Sequence, residues 1–539
     1  MYKLVITNRD YVNYKVISFA SGEVQLDLNP FANKLFSEDI LSEDLKVLKS
    51  PLREKAFIPG ILVLKGNKTY GRKNNILLYK FIPNDKSLPI FLVPYKNKAA
   101  VNFIKVPLNL YITIQFQSWD KDDKHPYGII HQIIGDVSSL ENYYLYQLYC
   151  RNLMISLNKF HSKSVEVLKN GLDLGPTSPN NNFIFTIDPE GSKDLDDAFS
   201  IDSFNNDLDH IISIYISHVP MMLDKLKLWP YMTDRVSSIY LPDSVKPMLP
   251  DILSNNMCSL LEGSKRFAFI MKIYIYNNIV YDVKYSSGVI MVSKNWSYDD
   301  PLLSSDPYYK KLFEIVRKAG IGKGINDSHE LVESLMIYMN RRCATDINQE
   351  VAIYRTQPED AKLQKLNNVP TEVITFIGKS AALYCKKEDS YDLRHSGLGL
   401  SKYIHITSPI RRLVDILNMI QMNRNFLSKE ALDFYEKWSN KLDYINESSK
   451  SIRRVQNDCE LLYKVTENIA NMKNTYEGYV IEVEVEEEDK YKIYIPSLKI
   501  STKTKSIERK LDKYGKYMFK LFMFYDEHNL SRKIRAQVV

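Results

Sequence analysis

The chain has 539 residues, 45% of them hydrophobic and 25% charged, the balance of an ordinary globular protein, and at roughly 150 residues per domain it should hold about three or four domains. The formal net charge of +7 and pI near 8.7 permit an anionic partner without demanding one, since a plain surplus of surface lysine explains them equally well. Cys150, Cys258, Cys343, Cys385 and Cys459 are odd in number, far apart and free of any CxxC pair. A disulfide framework or zinc knuckle is thereby excluded, and a reducing compartment fits better. The opening residues, MYKLVITNRDYVNYKV, lack a basic stretch followed by a long apolar run. No uncharged apolar run approaches the roughly 18–20 residues of a membrane span. The expectation is an intracellular, cytoplasmic protein with no membrane partner.

In chain order, the first ~150 residues are strand-like. Runs at Pro59–Leu64, Ile76–Tyr79, Ile90–Val93 and Leu110–Phe116 alternate with Asn, Asp, Lys and Gly breaks, a pattern that suits small β-barrels. A helix is expected over Glu141–Phe160. The loop GLDLGPTSPNNN (171–182) then opens a larger mixed α/β region. From Ser428 to Asn471, Trp438, Leu442, Ile445, Ile452, Val455 and Leu462 recur near helical spacing. In the last ~65 residues Tyr479, Ile481, Val483 and Val485 alternate with Glu482, Glu484 and Glu486. A turn at 487–490 leads to Tyr491–Pro496, a hairpin of a further small barrel. The fold class expected is multidomain α+β, with a central mixed α/β domain flanked by small OB-type barrels. Such barrels often bind single-stranded nucleic acid, although fold alone does not fix function.

The segment Phe183–Ser200 carries the chemistry. An apolar strand ends at Asp188, Pro189 and Gly191 make a turn, and Asp194, Asp196 and Asp197 arrive within four residues. Carboxylates this close raise one another's pKa, and a divalent cation removes that penalty. Hard oxygen ligands favour Mg²⁺, with Mn²⁺ as a substitute, over zinc. Such ions activate water and stabilise both oxygens in phosphodiester hydrolysis. A solvated acidic turn is the plain alternative on composition alone. An EF-hand loop is excluded, because no ligands alternate after Asp188 and no Glu closes a 12-residue loop. Farther on, Ser408 and Pro409 suit the N-cap and first position of a helix. This makes the turn before Arg411 an anion site by its dipole and free amides.

TIDPEGSKDLDDA (186–198) resembles the signature of the ribonuclease II/ribonuclease R family, the RNB-type 3′–5′ exoribonucleases. Three further segments agree in the same order: Arg235–Leu260, Leu331–Asn340 and His395–Arg412. Pro83–Pro89, Trp119 and Pro126–Asp136 are similar to the second cold-shock domain of the eukaryotic exosome nuclease branch, without that branch's N-terminal endonuclease domain. The resemblance divides the chain into a cold-shock-like OB domain (1–54), a second one (55–150), an RNB catalytic domain with its C-terminal helices (151–472) and an S1-like OB domain (473–539).

It implies Mg²⁺ on Asp188, Asp194 and Asp197, with Asp196 orienting the attacking water or a second metal. The partition among four coupled carboxylates stays open. Arg411 would clamp the scissile phosphate and stabilise transition-state charge, while Arg412 makes a structural salt bridge. Tyr240 matches an aromatic that stacks on a base. Tyr298, counted with the catalytic residues, and Glu333 match contacts to the terminal nucleotides that favour RNA through the 2′-OH. Arg235 joins the RNA-binding set. His218, His395 and His405 are expected to be structural or hydrogen-bonding. Two departures stand out. The segment Lys318–Asp327 is short and lacks the second clamp aromatic, so its glycines and Lys323 are left to grip phosphates. A looser hold on short products and a changed final fragment length are expected. Ser334 replaces a second Glu. The implied activity is processive, hydrolytic 3′–5′ degradation of single-stranded RNA to nucleoside 5′-monophosphates by a monomer, with the barrels feeding one strand to the core. A catalytically silent RNA-binding relative, a DNA-directed nuclease and a subunit active only in an exosome-like assembly remain as alternatives.

Overall fold

The computed structural model describes residues 1–96, 108–169, 171–177, 183–203, 208–322, 324–358, 369–390, 392–467, 473–485, 489–506, 509–526 and 531–539. Parts of the 171–182 and 487–490 turns, the end of the helical stretch at Asn471, Glu486 and Lys323 lie outside the described residues. The chain divides into two compact units, Met1–Met154 with Val455–Val539, and Ile155–Arg454.

In the first unit, strands 2–6, 14–18, 22–24, 40–41 and 47–49 form a five-stranded antiparallel sheet. All four expected runs that follow are strands: Ile58–Val63, Ile76–Pro83, Phe91–Pro94 and Leu110–Ser118. With Tyr127–Asp136 they close into a ring, because Ile58–Val63 pairs with both Leu110–Ser118 and Ile76–Pro83. The two modules share one core: Leu4, Phe36 and Leu41 of the first pack with Phe81, Phe91 and Trp119 of the second. The single helix expected over 141–160 is two, Leu140–Cys150 and Asn158–Leu168. Asn152, at φ 55, breaks it, as Asn tolerates left-handed backbone. The last residues form a closed barrel of five strands, Thr475–Val485, Lys490–Ile495, Ile500–Lys505, Lys516–Asp526 and Ser531–Val538. The simple alternation expected from Tyr479 is interrupted. Tyr479, Val480 and Ile481 are all buried, because a bulge at Val480/Glu482 shifts the register.

The second unit is built on a six-stranded sheet in the spatial order 279–291, 265–276, 209–217, 197–203, 185–188, 294–297. Neighbours are antiparallel except the last pair, where Phe185–Asp188 runs parallel to Lys294–Ser297. Helices Pro307–Lys318 and Ser328–Asp346 cover one face. Leu331, Leu335, Met339 and Cys343, at near-helical spacing, bury against Phe185, Ile187, Phe199 and Ile214. The helical stretch from Ser428 is broken at Asn440–Lys441 into helices Lys429–Ser439 and Leu442–Glu467. Among the described residues no helix is long and apolar enough to cross a membrane.

Candidate active site

Asp188 ends one strand and Asp197 begins the next, so the sheet itself holds two of the four carboxylates. Between them Gly191, at φ 77, supports a turn closed by Ser192 N–H donating to the Pro189 carbonyl at 3.1 Å. The second sequence motif pins this loop. Ser259 Oγ accepts the Leu195 amide at 3.1 Å, and Leu260 donates to the Leu195 carbonyl at 3.0 Å.

Arg411 arrives from more than two hundred residues away. Ile410 N–H donates to Asp196 Oδ1 at 2.9 Å, and Arg411 Nε lies 3.4 Å from Asp196 Oδ2. Asp196 is 3% exposed, whereas the Arg411 side chain is 47% exposed, so the cation faces solvent while its partner does not. The Arg411 carbonyl accepts from the Ser238 amide at 3.0 Å and Ser237 Oγ at 2.9 Å. This clasp brings Tyr240, 39% exposed, to the same place, its hydroxyl donating to Asp194 Oδ2 at 3.3 Å. Asn340, two turns beyond Glu333, accepts the Ile406 amide and donates to Tyr403 and Thr407, tying the Glu-bearing helix to the Arg-bearing segment.

The helix start expected at Ser408–Pro409 is corrected. The helix begins at Leu413 with Arg412 as its uncapped N-cap. Residues 408–411 form a tight turn instead, in which Arg411 and Arg412 amides donate to the Ser408 carbonyl. The reason is Asp415, fully buried, which takes the Ser408 amide at 2.7 Å and the Arg412 guanidinium at 2.9 Å. Arg412 thus makes the expected structural ion pair, and the exposed cation of this turn is the Arg411 guanidinium, with no helix terminus beside it in the turn.

Burial pushes the Asp196 carboxyl up to about 7, Arg411 and the Ile410 amide opposing. Burial also lifts Asp188 to about 6, with the Asp194 charge adding and the Thr186 hydroxyl and Arg411 subtracting. Asp197 is held well above the usual range by burial and then by the charges of Asp188 and Asp196. The Oδ2 atoms of Asp188, Asp196 and Asp197 are buried without a hydrogen-bond partner. Such orphaned carboxylate oxygens are the donor chemistry of a hard divalent cation. As placed, however, no group of three His, Cys, Asp or Glu among the described residues is gathered so as to hold a metal ion.

Tyr298 donates its amide to the Asp188 carbonyl at 3.0 Å. Burial, then the Asp197 and Asp188 charges, hold its phenol protonated. Its ring stacks on His329, centroids 3.7 Å apart and 11° from parallel, and Glu333 acts on it electrostatically from one turn farther along the same helix. Gly322 in the short segment backs directly onto the Ser334 side chain, which leaves no room for a Cβ at 322. Arg235 is not brought to the cluster. It is 6% exposed and donates to the carbonyls of Pro247 and Ile155, bracing its own loop. His218 caps a helix through Nδ1, and His405 hydrogen-bonds Tyr384 at 2.8 Å. Sequence reading passed over His329, the Ile410 amide and Asp415. Only His329 left a signal there, lying one helical turn before Glu333.

Residues 179–301 and 310–428 match the RNB domain, and residues 78–144 match the Dis3-like cold-shock domain 2 (CSD2). The chain is therefore an RNB-domain protein with a Dis3-like cold-shock module. It is similar to Ribonuclease R of Helicobacter pylori, 28% identical over 309 residues that cover 43% of this chain and 46% of that protein. The chain spans about half or less of the length of the curated relatives it matches. Its fold is shared with Mycoplasma genitalium RNase R, solved in complex with ribose-methylated single-stranded RNA, at TM-score 0.69, 15% identity and full coverage of both chains. Yeast Ssd1, described as a pseudonuclease, shares the fold at TM-score 0.57 and 16% identity, covering 88% of this chain and 67% of that one.

Proposed function

We propose that this protein hydrolyses single-stranded RNA processively from the 3′ end, releasing nucleoside 5′-monophosphates. The observation that carries the reading is the buried Oδ2 atoms of Asp188 and Asp197, without hydrogen-bond partners, in one cluster with Asp196 and its half-exposed ion-pair partner Arg411. Arg411 would engage the non-bridging oxygens of the scissile phosphate. Asp196, with a carboxyl poised near neutrality and anchored by the Ile410 amide, would orient the attacking water and accept its proton at Oδ2. Asp188, Asp194 and Asp197 would hold a divalent ion, Mg²⁺ or its substitute Mn²⁺, which when bound neutralises the carboxylates and polarises water and phosphate. Tyr240 offers an exposed ring for base stacking, and Tyr298 with Glu333 would receive the terminal ribose. Five free cysteines support a reducing, intracellular setting, and a monomer accounts for the site.

One second reading is favoured by the likeness to yeast Ssd1: an RNA-binding protein without catalysis. The presence of all four aspartates argues against it. The deciding experiment sets the protein beside Asp196→Asn on 5′-labelled single-stranded RNA and the matching DNA, with Mg²⁺ or EDTA. A ladder from RNA alone, lost with EDTA and in the variant, establishes the nuclease. Tight RNA binding without cleavage favours the second reading or a need for a missing partner.

A further inference from the structure

A group of basic side chains with Arg355 buried among them is not used by the proposed reaction. Arg355 sits in the short strand Tyr354–Thr356, paired in register with Tyr384 of Leu383–Cys385. It is 8% exposed, and its guanidinium carbon lies 4.5 Å from the Tyr384 ring centroid. Among the described residues that guanidinium meets no carboxylate, and the groups acting on it are Tyr384, Arg412 and Tyr403. Around it are more positive or proton-binding groups. Burial and then the Arg355 charge push His395 down to about 4 and hold Arg453 low. His405 is kept neutral by burial and by Arg412, Arg355 and His395. Tyr403 stands between His395 and His405, ring centroids 5.4 and 5.5 Å away, and His395 Nδ1 is buried with no partner. The carboxylate at hand, Asp415, already takes Arg412.

A buried guanidinium without a counter-charge is costly, and a bound anion removes that cost. A guanidinium stacked on an aromatic face keeps its N–H fork free for a planar or tetrahedral oxyanion. Among the described residues no carboxylate meets this guanidinium, and the donors gathered here suit a phosphate. We propose that Arg355, with Arg453 and His395, forms a second anion site that takes a phosphate group, separate from the one at Arg411. The phosphate is either a backbone phosphate of an RNA strand, an identification that rests on the proposed nuclease reading, or a free phosphate or nucleotide, which does not.

The test uses the full chain and its Arg411→Gln form, which removes the other anion-facing group. Thermal unfolding is followed in chloride and in inorganic phosphate at equal ionic strength. Phosphate should raise the melting temperature, and Arg355→Met should abolish the rise while melting higher than the parent in chloride, because an unpaired buried charge is gone. Arg355→Lys, which keeps charge but not the fork, should weaken phosphate binding about tenfold and covers the case in which the methionine form misfolds. Absence of a phosphate response in the parent, or an equal response in Arg355→Met and Arg355→Lys, overturns the site. A second arm measures RNA binding against salt on the Asp196→Asn background. A salt slope reduced by about 0.7 on losing Arg355 assigns the site to an RNA phosphate, and an unchanged slope with the phosphate response intact assigns it to free phosphate. Failure of the nuclease reading would show as absent cleavage and leave the phosphate arm decisive.

Discussion

Replacing Asp196 by Asn should stabilise the metal-free protein while abolishing its chemistry. The carboxyl is lifted from 3.8 to about 7 by burial. At about 1.4 kcal/mol per pK unit, keeping it ionised at pH 8 costs the folded state roughly 4 kcal/mol. Asn retains an acceptor for the Ile410 amide, so that bond survives. Arg411 loses its partner, but being half exposed it gives back only about 0–1 kcal/mol. The net gain is roughly 3 kcal/mol, or about 5 °C or more in melting temperature for a unit of this size. The sign depends on pH. A raised folded-state value means stability is fully present below the unfolded value near 4 and is lost as pH rises through about 7. Wild type and variant should therefore melt together at pH 4 and diverge toward pH 8 in EDTA. Mg²⁺ should raise the wild-type curve at pH 8 by neutralising the same charges. The assay is thermal unfolding by circular dichroism in EDTA from pH 4 to 8. A variant that melts below wild type at pH 8, or a pH-independent difference, would refute the claim that this carboxylate is strained.

Tyr240→Ala, on the Asp196→Asn background so that RNA survives, should weaken single-stranded RNA binding by about 1–3 kcal/mol, or roughly 5- to 150-fold. Tyr240→Phe, which loses only the hydrogen bond to Asp194, should stay within about fivefold by filter binding. His329→Ala should lengthen the final RNA fragment on a denaturing gel, and His329→Phe should restore it, if the Tyr298–His329 stack serves as the hold on the terminal nucleoside. Identical fragments from all three proteins would remove His329 from that role. Asp415→Ala should cost about 3 kcal/mol in urea unfolding, because it strands the partly buried Arg412 guanidinium and the buried Ser408 amide. A loss under 1 kcal/mol would show that the Arg411 turn is held by other contacts.

Much of this protein was written in local sequence. Apolar and β-branched runs between Asn, Asp, Lys and Gly breaks marked the strands of the N-terminal barrels, because such residues suit a pleated, half-buried surface and the breaks suit turns. The crowding of Asp194, Asp196 and Asp197 after a strand end marked the site, because carboxylates so close repel one another and a cation removes that penalty. What the chain could not show locally depends on partners far apart in sequence. Asn152 ends a helix whose apolar spacing runs on, and the bulge at Val480 is set by the strand opposite. Ser408 and Pro409 have the composition of a helix start, yet Asp415 claims the amide and the helix begins later. Arg235 has the chemistry of an RNA contact and is spent on two carbonyls. Tertiary packing alone decided that Arg411 reaches Asp196, that His329 lies flat on Tyr298 and that Arg355 is buried against the Tyr384 ring, since each depends on segments that only the fold brings together.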